Sequence, residues 1–448
     1  MIYSPQARKK MQTGWAFYDW ANSAYNLVIT STIFPAYYMA VTTTRNEAGE
    51  VTNNTVELLG YSFKNGALFD YAMALAYLLI VLTAPILSSI ADYTGNKKRF
   101  MQFFCILGSI ACCGLFFFTS ASIGWGLLCS ILAAIGYCGS IVFYNAYLPE
   151  IATDEEQNKV SAKGFAYGYI GSVLLQIICL IAILNDSFFE DKSLPVRLSF
   201  LAVGIWWFAF GQFSFSRLPK STPAAERPAY SLLTNGFIEL KKVWHQIQGM
   251  KTLRWYLAAF FLYSMGVQTV MLAAAIFGSS EIYKADGSPL GMSELITTIL
   301  IIQLVAILGA YIMARAASRY GNLKVLFFVV FIWIAVCIAA YFTTTDIEFY
   351  ILAALVGLVM GGIQSLSRAT YARLMPETKD TTSFFSFYDV TEKIAIVIGM
   401  FSFGFIEEFT GSMRNSIVIL IAFFVGGALV LYLAMQKAKK EEIPLTIQ

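Results

Sequence analysis

The sequence predicts an all-α membrane protein of twelve spans arranged as two related six-helix halves. Three observations carry this: composition, apolar stretches of membrane-crossing length, and a pair of landmarks repeated at one interval. Of 448 residues, 58% are hydrophobic, 16% aromatic and 13% charged, against roughly a quarter charged in a soluble domain. Such a chain is solvated mainly by lipid.

A hydrocarbon core about 30 Å thick takes roughly 20 apolar residues in helical form. Stretches of that kind fall at 14–42, 65–91, 100–120, 122–148, 162–186 and 196–217, then at 254–280, 292–316, 323–343, 348–374, 381–409 and 413–437. The apolar run after Arg8, Lys9 and Lys10 is too long for a signal h-region and lacks a small-residue cleavage site, so the first span is expected to remain in the mature protein.

The repeat sets the architecture. Asp92-Tyr93-Thr94-Gly95-Asn96-Lys97 follows the second span, and Ser318-Arg319-Tyr320-Gly321-Asn322-Leu323-Lys324 follows the eighth. Tyr147-Leu148-Pro149-Glu150 ends the fourth span and Leu374-Met375-Pro376-Glu377 the tenth. The two intervals agree to within one residue, as a six-plus-six duplication requires, with the solute site expected between the halves near mid-membrane. The halves are then 1–217 and 253–448. The connection 218–252 opens with Pro219, Pro223 and Pro228, which oppose a helix. It continues with Leu233, Phe237, Leu240, Trp244 and Ile247 at helical spacing beside Lys241 and Lys242, the pattern of a helix lying on the inner leaflet; a partner-binding helix is the other reading.

Basic residues assign the sides. With both termini on one side, that side holds most of the 31 Lys and Arg, whereas the other holds only Arg45, Lys64, Lys192, Arg197, Lys284 and Arg414, and Lys393 lies within a span. Both termini are therefore expected in the cytoplasm, in a plasma or inner membrane, and the chain as a monomer. The net charge of +3 reflects topology and gives no reason to expect nucleic acid. The sequon Asn53-Asn54-Thr55 falls on an outer loop. Cys105, Cys112, Cys113, Cys129, Cys138, Cys179 and Cys337 all lie in apolar stretches with no C-x-x-C spacing, which predicts buried thiols without disulfides or zinc. The single His245 lies outside the spans, so no cofactor or His-ligated metal is expected. No Walker loop, H-E-x-x-H or nucleophile with a histidine partner occurs, which argues against an enzyme.

Polar residues inside the spans mark the site. Asp19, Asn22, Ser23, Asn26 and Thr30 form one stripe on the first span, with Asp19 about 8 Å inside the cytoplasmic end. Charges within a span face a bundle or a cavity. Lys393 lies about 18 Å into the eleventh span, one turn beyond Asp389 and beside Glu392. Gln364, Arg368 and Tyr371 at i, i+4 and i+7 turn a second cation towards the bundle, and Asn145, Gln268, Thr269 and Gln303 offer neutral hydrogen bonds. Packing networks and a self-neutralising Asp389–Lys393 pair are the structural alternatives. Gly164, Gly168 and Gly171 on the fifth span predict close helix packing. In the loop after the second span, Asp92, Gly95, Lys97, Lys98 and Arg99 form a tight turn with its cations expected at headgroup level.

That loop resembles the G-x-x-x-D-x-x-G-R-K signature of the major facilitator superfamily, with Ser88 for the first Gly; in the second copy Ser318 replaces the Asp. The resemblance implies the twelve-helix facilitator fold and a role for Asp92 in locking the cytoplasmic gate. Trp15-Ala16-Phe17-Tyr18-Asp19-Trp20-Ala21-Asn22-Ser23-Ala24-Tyr25 is similar to the first-span signature of the "unknown major facilitator" family, which includes the vacuolar amino-acid effluxers linked to autophagy. Similarity continues in Tyr144-Asn145-Ala146-Tyr147-Leu148-Pro149-Glu150, in Gly361-Gly362-Ile363-Gln364-Ser365-Leu366-Ser367-Arg368 and in Phe384-Phe385-Ser386-Phe387-Tyr388-Asp389-Val390-Thr391-Glu392-Lys393. Membership implies amino-acid export. The chain departs from the family at Tyr263-Ser264-Met265-Gly266-Val267-Gln268-Thr269, which lacks the acid of Y-N-D-G-V-Q-T, and at Met400, where Pro is frequent.

The expected activity is secondary transport of a small solute, best matched by an amino acid or similar zwitterion, with protons as the coupling ion through Asp19. From the residues, a solute carboxylate would meet Lys393 or Arg368 and an ammonium Asp19. A sugar, metabolite or drug exporter is the alternative on the same fold, and a non-transporting sensor or lipid-handling protein the alternative of another class.

Overall fold

The computed structural model describes residues 3–46, 51–58, 60–185, 187, 189–220 and 232–442. A helix occupies each expected span. The first, α1, starts as Pro5–Ala24, widens into a π-helical stretch Tyr25–Thr32 and ends as Ile33–Thr42. It is followed by α2 (Asn65–Thr94), α3 (Lys97–Gly114), α4 (Ile123–Asn145), α5 (Asp154–Leu184) and α6 (Leu194–Arg217). After the linker helix Leu232–Gly249 come α7 (Lys251–Glu281), α8 (Met292–Tyr320), α9 (Asn322–Phe342), α10 (Asp346–Leu374), α11 (Thr381–Thr410) and α12 (Met413–Glu442). Ten of these, all but α1 and α11, are long and apolar enough to cross a membrane by length and composition among the described residues. The two exceptions have a physical reason: α1 is divided by its π-helical stretch, and α11 carries Asp389, Glu392 and Lys393 in its middle.

Local chemistry fixes the ends. Gly95, at φ +64°, closes α2 in the left-handed conformation that glycine adopts without cost. Two helix starts lie well before the sequence reading, and the first is α1, which begins at Pro5, not 14, with the Ser4 side chain as its cap. α5 begins at Asp154, not 162, because Thr153 and Glu156 form a capping box and Asp154, Glu155 and Glu156 sit at the positive end of the helix dipole. That polar first turn is invisible to a search for apolar runs.

The π-helical stretch has a local cause. Pro35 lacks the N–H that the Ser31 carbonyl would receive in an α-helix, and the Thr32 hydroxyl donates to Leu27 O at 2.7 Å. The Ile33 N–H consequently reaches back five residues to Val28 O.

Within the halves α1 packs on α5, α3 on α4, α8 on α10 and α7 on α12; between them α5 packs on α8 and α10, and α2 on α11. Glycines make these approaches close. A Cβ on Gly164 would lie 2.5 Å from Asp19 Oδ2, and one on Gly171 2.7 Å from Trp20 O. The linker helix packs on α2 and α11, one from each half. Val243 and Ile247 are buried there, Trp244 lies over Phe387, and Lys242 pairs with Asp380 at 3.4 Å. Phe237 remains exposed; Pro223, Pro228 and the side chains of Leu233 and Leu240 fall outside the described residues. The six cysteines other than Cys113 are buried, and His245 is exposed.

Candidate functional site

A cavity of about 220 Å³ lies between the halves. Asp19, Asn145 and Arg368 form its floor towards the basic end, and its lining rises through Lys393 and Gln364 to Ser31 and Leu272, both exposed towards the opposite end. The helix directions explain this order, since α1 and α7 run away from the basic end whereas α10 runs towards it.

The floor is built around Arg368. Its Nη1 and Nη2 both donate to Asp19 Oδ2 at 3.3 Å, Nε donates to Ser161 Oγ and Nη2 to Ser161 O, each at 3.0 Å, and Nη1 donates to Asn145 Oδ1 at 3.3 Å. Tyr144 OH donates to the same Asp19 oxygen at 2.6 Å. The guanidinium sits over Phe165 and Trp15, at 4.2 and 4.6 Å from the ring centroids. One α10 side chain thus ties the second half to α1, α4 and α5 of the first. Charge-assisted bonds in a low-dielectric setting are the strong ones, and removal of one partner would leave the other ion unpaired.

Above the floor, Lys393 Nζ lies 3.5 Å from Asp389 Oδ1 and 3.3 Å from Glu392 Oε2. Gln268 Nε2 donates to Glu392 Oε1 at 2.9 Å. Asp389 is 2% exposed, and its Oδ2 has no hydrogen-bond partner among the described residues. Tyr169 OH donates to Gln364 Oε1 at 2.7 Å, a further bond between the halves. Around the cavity Asp19, Asp389 and Glu392 face Arg368 and Lys393, an excess of one negative charge.

Beneath the floor the basic end is closed. Asp92 Oδ1 accepts from Thr382 N at 3.2 Å, and Oδ2 accepts from Ser383 N and Oγ at 2.8 and 2.9 Å, so the carboxylate caps the N-terminus of α11, where backbone donors and dipole favour an anion. Asn158 and Asn322 exchange two amide bonds at 2.7 and 2.8 Å between α5 and the start of α9, and Ser161 Oγ donates to Ser365 O at 2.8 Å. One expectation is corrected here. Lys97 is not at headgroup level: it is 2% exposed, pairs with Glu150 and donates to Thr381 Oγ1 at 3.2 Å, because its partners come from the end of α4 and the start of α11. Lys98 is half-buried and donates to Leu218 O at 3.0 Å; Arg99 is exposed.

Most residues singled out in the sequence converge on the cavity: Asp19, Ser23, Asn26, Asn145, Gln268, Gln303, Gln364, Arg368, Glu392 and Lys393 line it, with Asp389 immediately behind. Asn22 and Thr269 do not line it; both are buried in helix packing. Sequence reasoning missed Tyr144 and Ser161, which hold the floor, the lining tyrosines Tyr77, Tyr137 and Tyr169, and the Asn158–Asn322 pair. Tyr144 sat inside a quoted motif. The other tyrosines gave no signal in a chain already 16% aromatic.

Residues 7–443 match the family described as "Vacuole effluxer Atg22 like". The chain belongs to that family. Among its relatives, an "Uncharacterized MFS-type transporter YxiO" of Bacillus subtilis is 32% identical over 94% of both chains, and "Autophagy-related protein 22" of Yarrowia lipolytica is 24% identical over 83% of this chain and 76% of the relative. The fold is similar to that of the Escherichia coli fucose:proton symporter FucP, with a TM-score of 0.68, 14% identity, and 96% of this chain and 98% of that one covered. It also resembles the proton:xylose symporter XylE, with a TM-score of 0.67 at 12% identity over 96% of both chains. This member of the Atg22-like family is therefore a multi-pass membrane protein with the major facilitator fold, and a secondary transporter rather than an enzyme.

Proposed function

We propose that this transporter moves a small zwitterion, with an amino acid as the best match, by alternating access between the side facing the open cavity and the basic, cytoplasmic side. The carrying observation is a small cavity that holds both signs of charge at its centre. Its volume of about 220 Å³ falls below the roughly 300–1,000 Å³ of drug-sized pockets. Lys393 is the group for a solute carboxylate. Glu392, which lines the cavity and is more exposed than Asp19 although Lys393 and Gln268 hold its oxygens, is the group for an ammonium, since Asp19 is buried between Arg368 and Tyr144 in this closed-floor state. Release to the cytoplasm requires the Asp19–Arg368 bridge and the Asp92 cap to part.

Protons are the proposed coupling ion. An uncompensated negative charge in a buried cavity costs several kcal/mol, and a single proton removes it. Asp389, whose Oδ2 lacks a partner, is a better place for that proton than Asp19.

The deciding experiment is counterflow of a labelled amino-acid mixture in proteoliposomes, with the intact protein beside Lys393→Ala. Flux in the first and its loss in the second is the expected result. No amino-acid flux through the intact protein, in vesicles shown to be sealed and loaded, overturns the reading. The neutral donors and acceptors of Tyr137, Gln268 and Gln303 favour a sugar as the second reading, and a labelled sugar panel in the same vesicles separates the two.

A further inference from the structure

Resting on the proton coupling just proposed, we propose that buried hydroxyls on the facing sides of α2 and α11 relay the coupling proton from Asp389, behind the cavity, to Asp92, at the basic end. Thr382, Ser386, Asp389 and Lys393 recur on α11 at i, i+4, i+7 and i+11, a single stripe, and all four are buried. On α2, Ser88 and Asp92 are buried one turn apart.

The two helices pack antiparallel with a register fixed at both ends. Thr382 N donates to Asp92 at the basic end, and Tyr77 of α2 lines the cavity together with Glu392 and Lys393 of α11 at the other. Ser88 is therefore level with Ser386, and Pro85 with Asp389. Pro85 cannot donate, so the Val81 carbonyl loses its helical partner at the same height.

Ser88 Oγ, Ser386 Oγ and Asp389 Oδ2 have no hydrogen-bond partner among the described residues, and Thr382 Oγ1 lies against the Asp92 carboxylate without one of good geometry. Such groups are costly if left dry, and a row of them along one seam marks a place for bound water. Neighbouring groups stand about 5–6 Å apart, one helical turn, which a single water spans with two bonds of about 2.8 Å.

The step balances as a proton exchange. The protonated Asp389 becomes a carboxylate as the Asp92 carboxylate becomes an acid, each hydroxyl and water passing one proton on. Asp389 is faced meanwhile by Lys393 and Glu392 of its own helix, Tyr77 of α2 and Cys138 of α4; Asp92 is faced by Lys97 of α3 and by Thr382 and Ser383 of α11. A protonated Asp92 holds the N-terminus of α11 less strongly, so arrival of the proton loosens the closed end.

The test separates exchange, which moves no net proton, from uptake driven by a pH gradient. Ser88→Ala with Ser386→Ala, and Thr382→Val alone, are expected to leave counterflow within about twofold of the intact protein while gradient-driven uptake falls by about tenfold or more; Thr382→Ser is expected to retain both. Gradient-driven uptake that survives in the hydroxyl-free variants, or an intact protein indifferent to the gradient, overturns the relay. An intact protein without counterflow sinks the amino-acid reading instead, and infrared difference spectra on acidification then judge the relay without solute. The broad absorption of a shared proton, present in the intact protein and lost in Ser386→Ala, is expected; its absence from the intact protein overturns the proposal.

Discussion

Substituting Gly164 by Ala places one methyl group inside the contact that closes the basic end. Its Cβ would stand 2.5 Å from Asp19 Oδ2, 2.9 Å from Trp15 Cζ3 and 3.0 Å from Arg368 Nη2, so the Asp19 carboxylate must withdraw from the guanidinium it accepts. Overpacking of a tight contact costs about 1–3 kcal/mol. The bridge exists only when the halves meet at this end, so the cost falls largely on the closed state. A penalty of about 2 kcal/mol multiplies the ratio of open to closed molecules by about 30. Spin labels at Lys159→Cys and Arg319→Cys, exposed positions on either side of the Asn158–Asn322 contact, read that ratio as a pulsed-resonance distance distribution. Gly168→Ala is the control, because its Cβ collides with Ser23 Oγ on the same α1 surface and meets Asp19 only at its backbone oxygen, 3.3 Å away, leaving the bridging carboxylate and guanidinium untouched. A long-distance population that rises in Gly164→Ala and stays low in Gly168→Ala is expected. Equal responses from the two would refute the argument, since the effect would then belong to α1–α5 packing.

Three further outcomes are expected. Lys393→Ala leaves Asp389 and Glu392 without their cation and should lower stability by about 3–5 kcal/mol; adding Asp389→Asn and Glu392→Gln should recover the melting temperature in detergent without recovering flux. Asn158→Ala and Asn322→Ala should each shift the spin-label ratio towards the open state by about 1–3 kcal/mol, and the double variant by little more than either, since both remove the same pair of bonds between the halves; the further bond that Asn322→Ala loses, to Thr370 at 3.1 Å, lies within one half. Gly321→Ala should destabilise the protein more than Gly95→Ala, as φ +90° with ψ 144° is nearly confined to glycine whereas φ +64° with ψ 24° is open to other residues at modest cost; thermal unfolding of the two variants ranks them.

Features written locally were legible in the chain. Apolar stretches place the helices because lipid selects composition directly, and of the stripe on α1 Asp19, Ser23, Asn26 and Thr30 line the cavity. Asn22 was assigned with them, yet it stands about 100° round the helix from Ser23 and meets the packing instead. The partner of Asp19 was out of reach. Arg368 is contributed by the other half, and the periodicity of either helix says only that a charge faces inwards. The same holds for Asn322, visible in the sequence as part of a repeated loop, whose amide has a use only because Asn158 stands opposite. Lys97 was misplaced for a related reason: a basic loop looks solvated until the helix ends that enclose it are known.

The change of winding in α1 has a consequence for how the two gates are linked. Over Tyr25–Thr32 the helix bonds from i to i+5 and widens, so the face presented by Ile33–Thr42 is rotated relative to the face that carries Asp19. The C-terminal third of α1 therefore keeps its own register, held by the Tyr37 and Tyr38 hydroxyls that donate to Phe118 O and Asn65 O, while the part that carries Asp19 answers to Arg368. At the joint between them the Ser31 and Thr32 hydroxyls donate to carbonyls of their own helix and Thr32 Oγ1 also bonds Gln176 Oε1 of α5 at 3.0 Å, so closing the mouth of the cavity over a solute while the charged floor stays locked would turn on this point. Such a closure would leave both doors shut at once, as an occluded intermediate.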